Sequence, residues 1–66
     1  MPNKKRHWLI KERVDRGLTQ ESVAQRINIS QTTYSTYELG TRNPKGKVAY
    51  ELSKLFGIPM EKFFEE

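Results

Sequence analysis

The chain reads as an all-α fold of five short helices around one core. Three observations carry that reading. No stretch alternates apolar and polar residues as a strand would, apolar residues recur at helical spacing, and helix punctuation falls at regular intervals. Asn3, Thr19 and Ser30 stand where N-caps are needed, and Gly17, Gly40 and Gly57 stand where helices must stop.

The first helix is expected over residues 4–16, capped by Asn3 and ended by a left-handed Gly17. At 100° per residue, Leu9, Ile10, Arg13 and Val14 fall within an arc of roughly 140°. Arg13 thereby lies in the apolar stripe, and a guanidinium there requires a carboxylate. Trp8 falls off the stripe. The second helix starts at Thr19, whose hydroxyl can accept from the free N–H groups of Glu21 or Ser22, and turns Val23, Ala24 and Ile27 inward. Asn28 makes the turn, Ile29 plugs the core and Ser30 caps the third helix.

That third helix, residues 31–39, separates its faces clearly. Tyr34 and Tyr37 lie within roughly 60° of each other and face the core. Gln31, Thr32, Ser35 and Thr36 span about 140° on the other side, with no charge among them. An ordinary solvated face carries Lys or Glu. A short helix presenting Gln, Thr and Ser side by side can enter a DNA major groove and pair with base edges. The fourth helix is expected over residues 45–56, with Val48, Ala49, Leu52, Leu55 and Phe56 on one stripe. A fifth is expected over residues 59–65, with Pro59 at its first position.

At 66 residues the chain is expected to be one domain throughout, with residues 1–6 as a basic arm or the solvated first turn of a helix. It has no Cys and one His, which leaves no disulfide framework and no zinc ligand set. No metal, cofactor or small-molecule ligand is expected. No apolar run approaches the ~20 residues of a membrane span, and none of signal-peptide length follows the basic start. General acid–base catalysis needs paired titratable groups in a pocket, and His7 is expected to be exposed, so an enzyme is not expected.

Twelve Lys and Arg against eight Asp and Glu give a net charge of +4, with a pI near 9.6. That balance favours an anionic partner, and nucleic acid is the usual one. The cations gather at Lys4-Lys5-Arg6 and at Arg42, Lys45 and Lys47, while Glu61, Glu65 and Glu66 lie at the other end.

Arg13, Gly17-Leu18-Thr19-Gln20-Glu21, Val23-Ala24, Ile29-Ser30, Glu38, Gly40, Pro44 and Phe56-Gly57-Ile58 together resemble the phage-repressor/Cro-type, or XRE, helix-turn-helix family. The likeness runs without a gap from about Leu9 to Phe64. It implies a five-helix lambda-repressor-like domain in which helices 2 and 3 form the helix-turn-helix. It also implies a sequence-specific regulator, most often a repressor, that binds double-stranded DNA as a homodimer on a pseudo-palindromic operator. Arg13 is implied to pair with Glu38. Base contact is implied for Gln31, Thr32 and Thr36, with Ser35 beside them. Backbone contact is implied for Gln20, which would also brace the first residue of helix 3, and for Thr41, Arg42 and Asn43. An antitoxin that masks a toxin protein and controls its own operon is the alternative. Either would be a cytoplasmic protein of a prokaryote or phage, nucleoid-associated when bound to DNA.

Two positions depart from the family pattern. Leu39 replaces a residue that is often polar, and Gly46 stands where an apolar residue would favour the fourth helix by ~1 kcal/mol. Met60, Phe63 and Phe64 cluster at the end of the chain, where a short helix cannot easily bury all three. A core position is open to Phe63, and the three, Phe64 above all, are expected to form a dimer interface holding two recognition helices roughly 34 Å apart, one DNA turn. Tyr50 lies off its helix's apolar stripe, at the surface or at an interface.

Overall fold

The computed structural model describes residues 5–64. They form four α-helices, α1 (His7–Asp15), α2 (Gln20–Arg26), α3 (Gln31–Leu39) and α4 (Gly46–Phe56), followed by a 3₁₀ helix, Met60–Phe64. Each α-helix is followed within two residues by a left-handed one: Gly17, Asn28, Gly40 and Gly57. Past each of these, a backbone N–H reaches five residues back. Leu18 donates to Arg13, Ile29 to Ala24, Thr41 to Thr36 and Ile58 to Ser53, at 3.0–3.2 Å. These are Schellman-type closures that satisfy carbonyls which the helix itself leaves open.

The helix expected at the end of the chain is not an α-helix, so there are four rather than five. The segment after Pro59 is a short one, Met60–Phe64. It tightens into i→i+3 bonding, with the Lys62 N–H on the Pro59 carbonyl at 3.1 Å. The first helix is also shorter than its apolar pattern suggested. Its cap is Arg6, with no side-chain cap hydrogen bond, while Asn3 and Lys4 lie outside the described residues. The Arg6 N–H donates to the Glu38 carbonyl at 2.8 Å, which draws this residue off the helical path and against the end of α3.

The core joins Leu9 of α1, Val23, Ala24 and Ile27 at α2, Tyr34 and Tyr37 of α3, Leu52 and Phe56 of α4, and Ile58 and Phe63 beyond it. Tyr34 and Tyr37 meet edge to face, with centroids 6.3 Å apart. Two apolar residues depart from their expected places. Val14, counted in the stripe of the first helix, is exposed in the last turn of that nine-residue helix. Trp8, off that stripe, is half-buried against Phe63 at 5.3 Å. Its partner arrives from the far end of the chain, which helical periodicity cannot reveal.

Gly46 reverses a local expectation. It opens α4 with φ +54, a left-handed conformation that an L side chain adopts only at a cost. Glycine is therefore suited to this position, and the helix gains nothing from a larger residue there.

Candidate nucleic-acid interface

The α2–turn–α3 unit is closed by its own neighbours. Thr19 and Ser22 form a reciprocal capping box at the start of α2. Ser30 accepts the Thr33 N–H at 3.0 Å at the start of α3. Between them Asn28 takes the left-handed turn, one of the few non-glycine residues suited to it. The polar row of α3 stands outward on this scaffold. Gln31 and Thr32 are exposed, Ser35 and Thr36 half-buried. Together with Gln20 and Leu39 they line one shallow concavity. Leu39 is itself 47% exposed at the end of that groove.

On the inner face of α3, Glu38 is 3% exposed. Its carboxylate accepts from Arg13 Nε at 2.6 Å, Gln20 Nε2 at 2.8 Å and the Tyr34 hydroxyl at 2.7 Å. Burial alone would raise the pKa of this carboxyl, but the hydrogen bonds from Arg13, Gln20 and Tyr34 outweigh it and hold the value below the ordinary one. The Tyr34 phenol is pushed up, by burial first and then by its donation to the carboxylate. Tyr34 and Glu38 are four residues apart on one helix, a spacing that signals contact in the sequence itself.

Gln20 extends this network to the surface. One of its two N–H donors is committed to Glu38, while its carbonyl oxygen accepts from Gln31 Nε2 at 3.4 Å. A continuous polar chain therefore runs from the buried Arg13–Glu38 pair to the first residue of the outward row. Thr36 behaves differently from its neighbours. Its hydroxyl donates to the Thr33 carbonyl at 2.6 Å, so its methyl and an acceptor lone pair are what it has left to offer.

Beyond Gly40 the loop carries Thr41, Arg42 and Asn43, all exposed, followed by a wholly buried Pro44 and exposed Lys45 and Lys47. Arg42, Asn43 and Lys45 line a second concavity beside Tyr37. The Asn43 side-chain oxygen accepts from Arg6. Arg6 belongs neither to a flexible arm nor to a solvated turn: it is 7% exposed and also donates to three backbone carbonyls. Nothing in its sequence neighbourhood distinguishes it from Lys5, which is exposed.

The cluster at the end of the chain divides. Phe63 is wholly buried, packed on Trp8 with the Arg6 guanidinium over its ring, and cannot face a second copy. Met60 is half-buried, and Phe64 is 51% exposed.

Helix-turn-helix is the family whose model matches, over residues 9–63. This chain belongs to the XRE-type helix-turn-helix family. It is 44% identical over 48 residues to the cryptic phage CTXphi transcriptional repressor RstR of Vibrio cholerae, a match covering 73% of this chain and 43% of that protein. It is 38% identical over 61 residues to the uncharacterized HTH-type transcriptional regulator YqaF of Bacillus subtilis, covering 92% of this chain and 80% of the relative. An uncharacterized HTH-type transcriptional regulator of Methanocaldococcus jannaschii is 33% identical over 64 residues, covering 97% and 91%. This chain thus spans less than half the length of the Vibrio protein and most of the length of the other two. No solved structure matches it significantly. Among the described residues, no helix is long and apolar enough to cross a membrane.

Proposed function

We propose that this protein is a transcriptional repressor that binds a pseudo-palindromic DNA operator as a homodimer. The observation that carries this reading is the uncharged outward row of α3, Gln31, Thr32, Ser35 and Thr36, flanked by the exposed cations Arg42, Lys45 and Lys47. Uncharged amides and hydroxyls suit base edges, whereas cations suit phosphates. Gln31 is the candidate for a bidentate contact to adenine, and Thr32 and Thr36 offer methyls to thymine. Gln20, Thr41, Arg42 and Asn43 serve the backbone. The likeness to a phage repressor supports the repressor role.

A single small module buries only ~600–1,000 Å² on DNA, too little to hold one site tightly. A second copy doubles the contacts and binds its half-site at high effective concentration. With Phe63 assigned to the core, Phe64 and Met60 remain as the dimer-facing residues. Operator selection from random duplexes, followed by footprinting, tests the function directly and should return two half-sites about one helical turn apart. On the selected operator, Gln31→Ala and Thr32→Ala should each lose about 1–3 kcal/mol while nonspecific binding is spared. Phe64→Glu should give a folded monomer by helical circular dichroism and sedimentation. Selection that enriches no sequence would sink the operator reading, and a Phe64→Glu protein that still sediments as a dimer would move the interface elsewhere.

A further inference from the structure

Arg6 reaches three separate parts of the chain from one position. Its guanidinium donates to the Tyr37 carbonyl at 2.6 Å, the Arg42 carbonyl at 3.0 Å and the Phe63 carbonyl at 2.9 Å, and to the Asn43 side-chain oxygen. Its own backbone N–H holds the Glu38 carbonyl. Tyr37 and Glu38 belong to the last turn of α3, where carbonyls lack helical partners and the helix dipole favours a cation. Arg42 and Asn43 belong to the loop that follows. Phe63 belongs to the 3₁₀ helix.

A planar fork of five donors suits several fixed acceptors at once, which a single ammonium does not. The geometry points to Arg6 as the positioning residue of the 41–43 loop, setting where Arg42 and Asn43 stand relative to α3 before DNA arrives. The inference rests on the reading of that loop as a phosphate-contacting segment. Asn43 illustrates the mechanism. With its side-chain oxygen on the guanidinium, its amide nitrogen is the remaining hydrogen-bonding end, a donor suited to a phosphate oxygen. A loop ordered in advance gives up less conformational freedom on binding, so the same contacts yield higher affinity.

Arg6→Lys keeps the net charge and removes the fork, so it separates position from electrostatics. In the free variant, amide hydrogen exchange at Thr41 and Arg42, whose N–H groups bond the Thr36 carbonyl at 3.1 and 3.4 Å, should accelerate relative to the amides of α2. On a nonspecific duplex, affinity should fall about tenfold and the salt slope should flatten by about one phosphate contact. The double variant Arg6→Lys with Arg42→Ala should lose less than the product of the two single losses, since both act through one loop. Multiplicative losses, or wild-type exchange at Thr41 and Arg42, would overturn the inference. If Arg42→Ala alone leaves duplex affinity and salt slope unchanged, the phosphate reading of the loop fails, while the exchange data still decide what Arg6 holds. Should Arg6→Lys not fold, Asn43→Ala removes one acceptor and keeps the carbonyl contacts. Faster exchange at Arg42 is expected there, and unchanged exchange would count against the clamp.

Discussion

The α2–turn–α3 unit and the frame around it are held by different means. Inside the unit three helix ends are closed by near neighbours alone, by Thr19 with Ser22, by Asn28 and by Ser30 with Thr33, and at the end of α3 Arg6 adds to the left-handed Gly40. In the frame, neither α1 nor α4 has a side-chain cap. There the left-handed closures at Gly17 and Gly57 are supplemented from afar, with Arg16 on the Phe56 carbonyl at 3.0 Å, and Arg6 ties the 41–43 loop and the 3₁₀ helix to the end of α3. A DNA-reading element built on near-neighbour bonds keeps its shape with few demands on the rest of the chain. Its placement, by contrast, depends on long-range contacts that a single substitution can remove.

The contact that joins the two regions offers the sharpest break. Arg13 of α1 meets Glu38 of α3 with side-chain exposures of 15% and 3%. Arg13→Met should strand a buried carboxylate and cost about 3–5 kcal/mol by denaturant unfolding. Changing both residues to Met and Leu should recover much of that. Recovery should stop short of complete, because the Tyr34 hydroxyl and the Gln20 amide lose their acceptor with Glu38. Additive losses in this cycle would mean that the frame and the reading unit are not coupled through the pair.

In the frame itself, Gly46→Ala should destabilise by about 1–2 kcal/mol, although intrinsic helix propensity alone predicts a gain. A Cβ at Gly46 meets nothing within 4 Å, so the whole cost is the left-handed backbone, φ +54. A stabilised variant would show that α4 starts by an ordinary helical turn.

Acid titration gives the most gradual effect. Glu38 has its folded pKa held below its ordinary value, so its contribution is complete above the unfolded carboxyl pKa of about 4.3. That contribution disappears as pH falls through the folded pKa. Stability should therefore decline on acidification below about pH 4, and Glu38→Gln should flatten that decline. An unchanged acid limb in Glu38→Gln would assign it to other carboxylates.

The near-neighbour half of this protein was legible in its sequence. Thr19, Asn28, Ser30 and Gly40 bound α2 and α3 where their chemistry says they should, because a cap or a left-handed turn is decided within a few residues. The outward polar row and the need for a carboxylate beside Arg13 follow from the same short-range periodicity. Tertiary structure alone decided the rest. It pulled Arg6 out of a basic cluster and into the interior, gave Trp8 a partner in Phe63 and left Val14 in solvent. Each of these depends on which distant segment arrives alongside. The carbonyls of Tyr37, Arg42 and Phe63 lie 31 to 57 residues from Arg6 along the chain, and no pattern of spacing around residue 6 encodes their convergence.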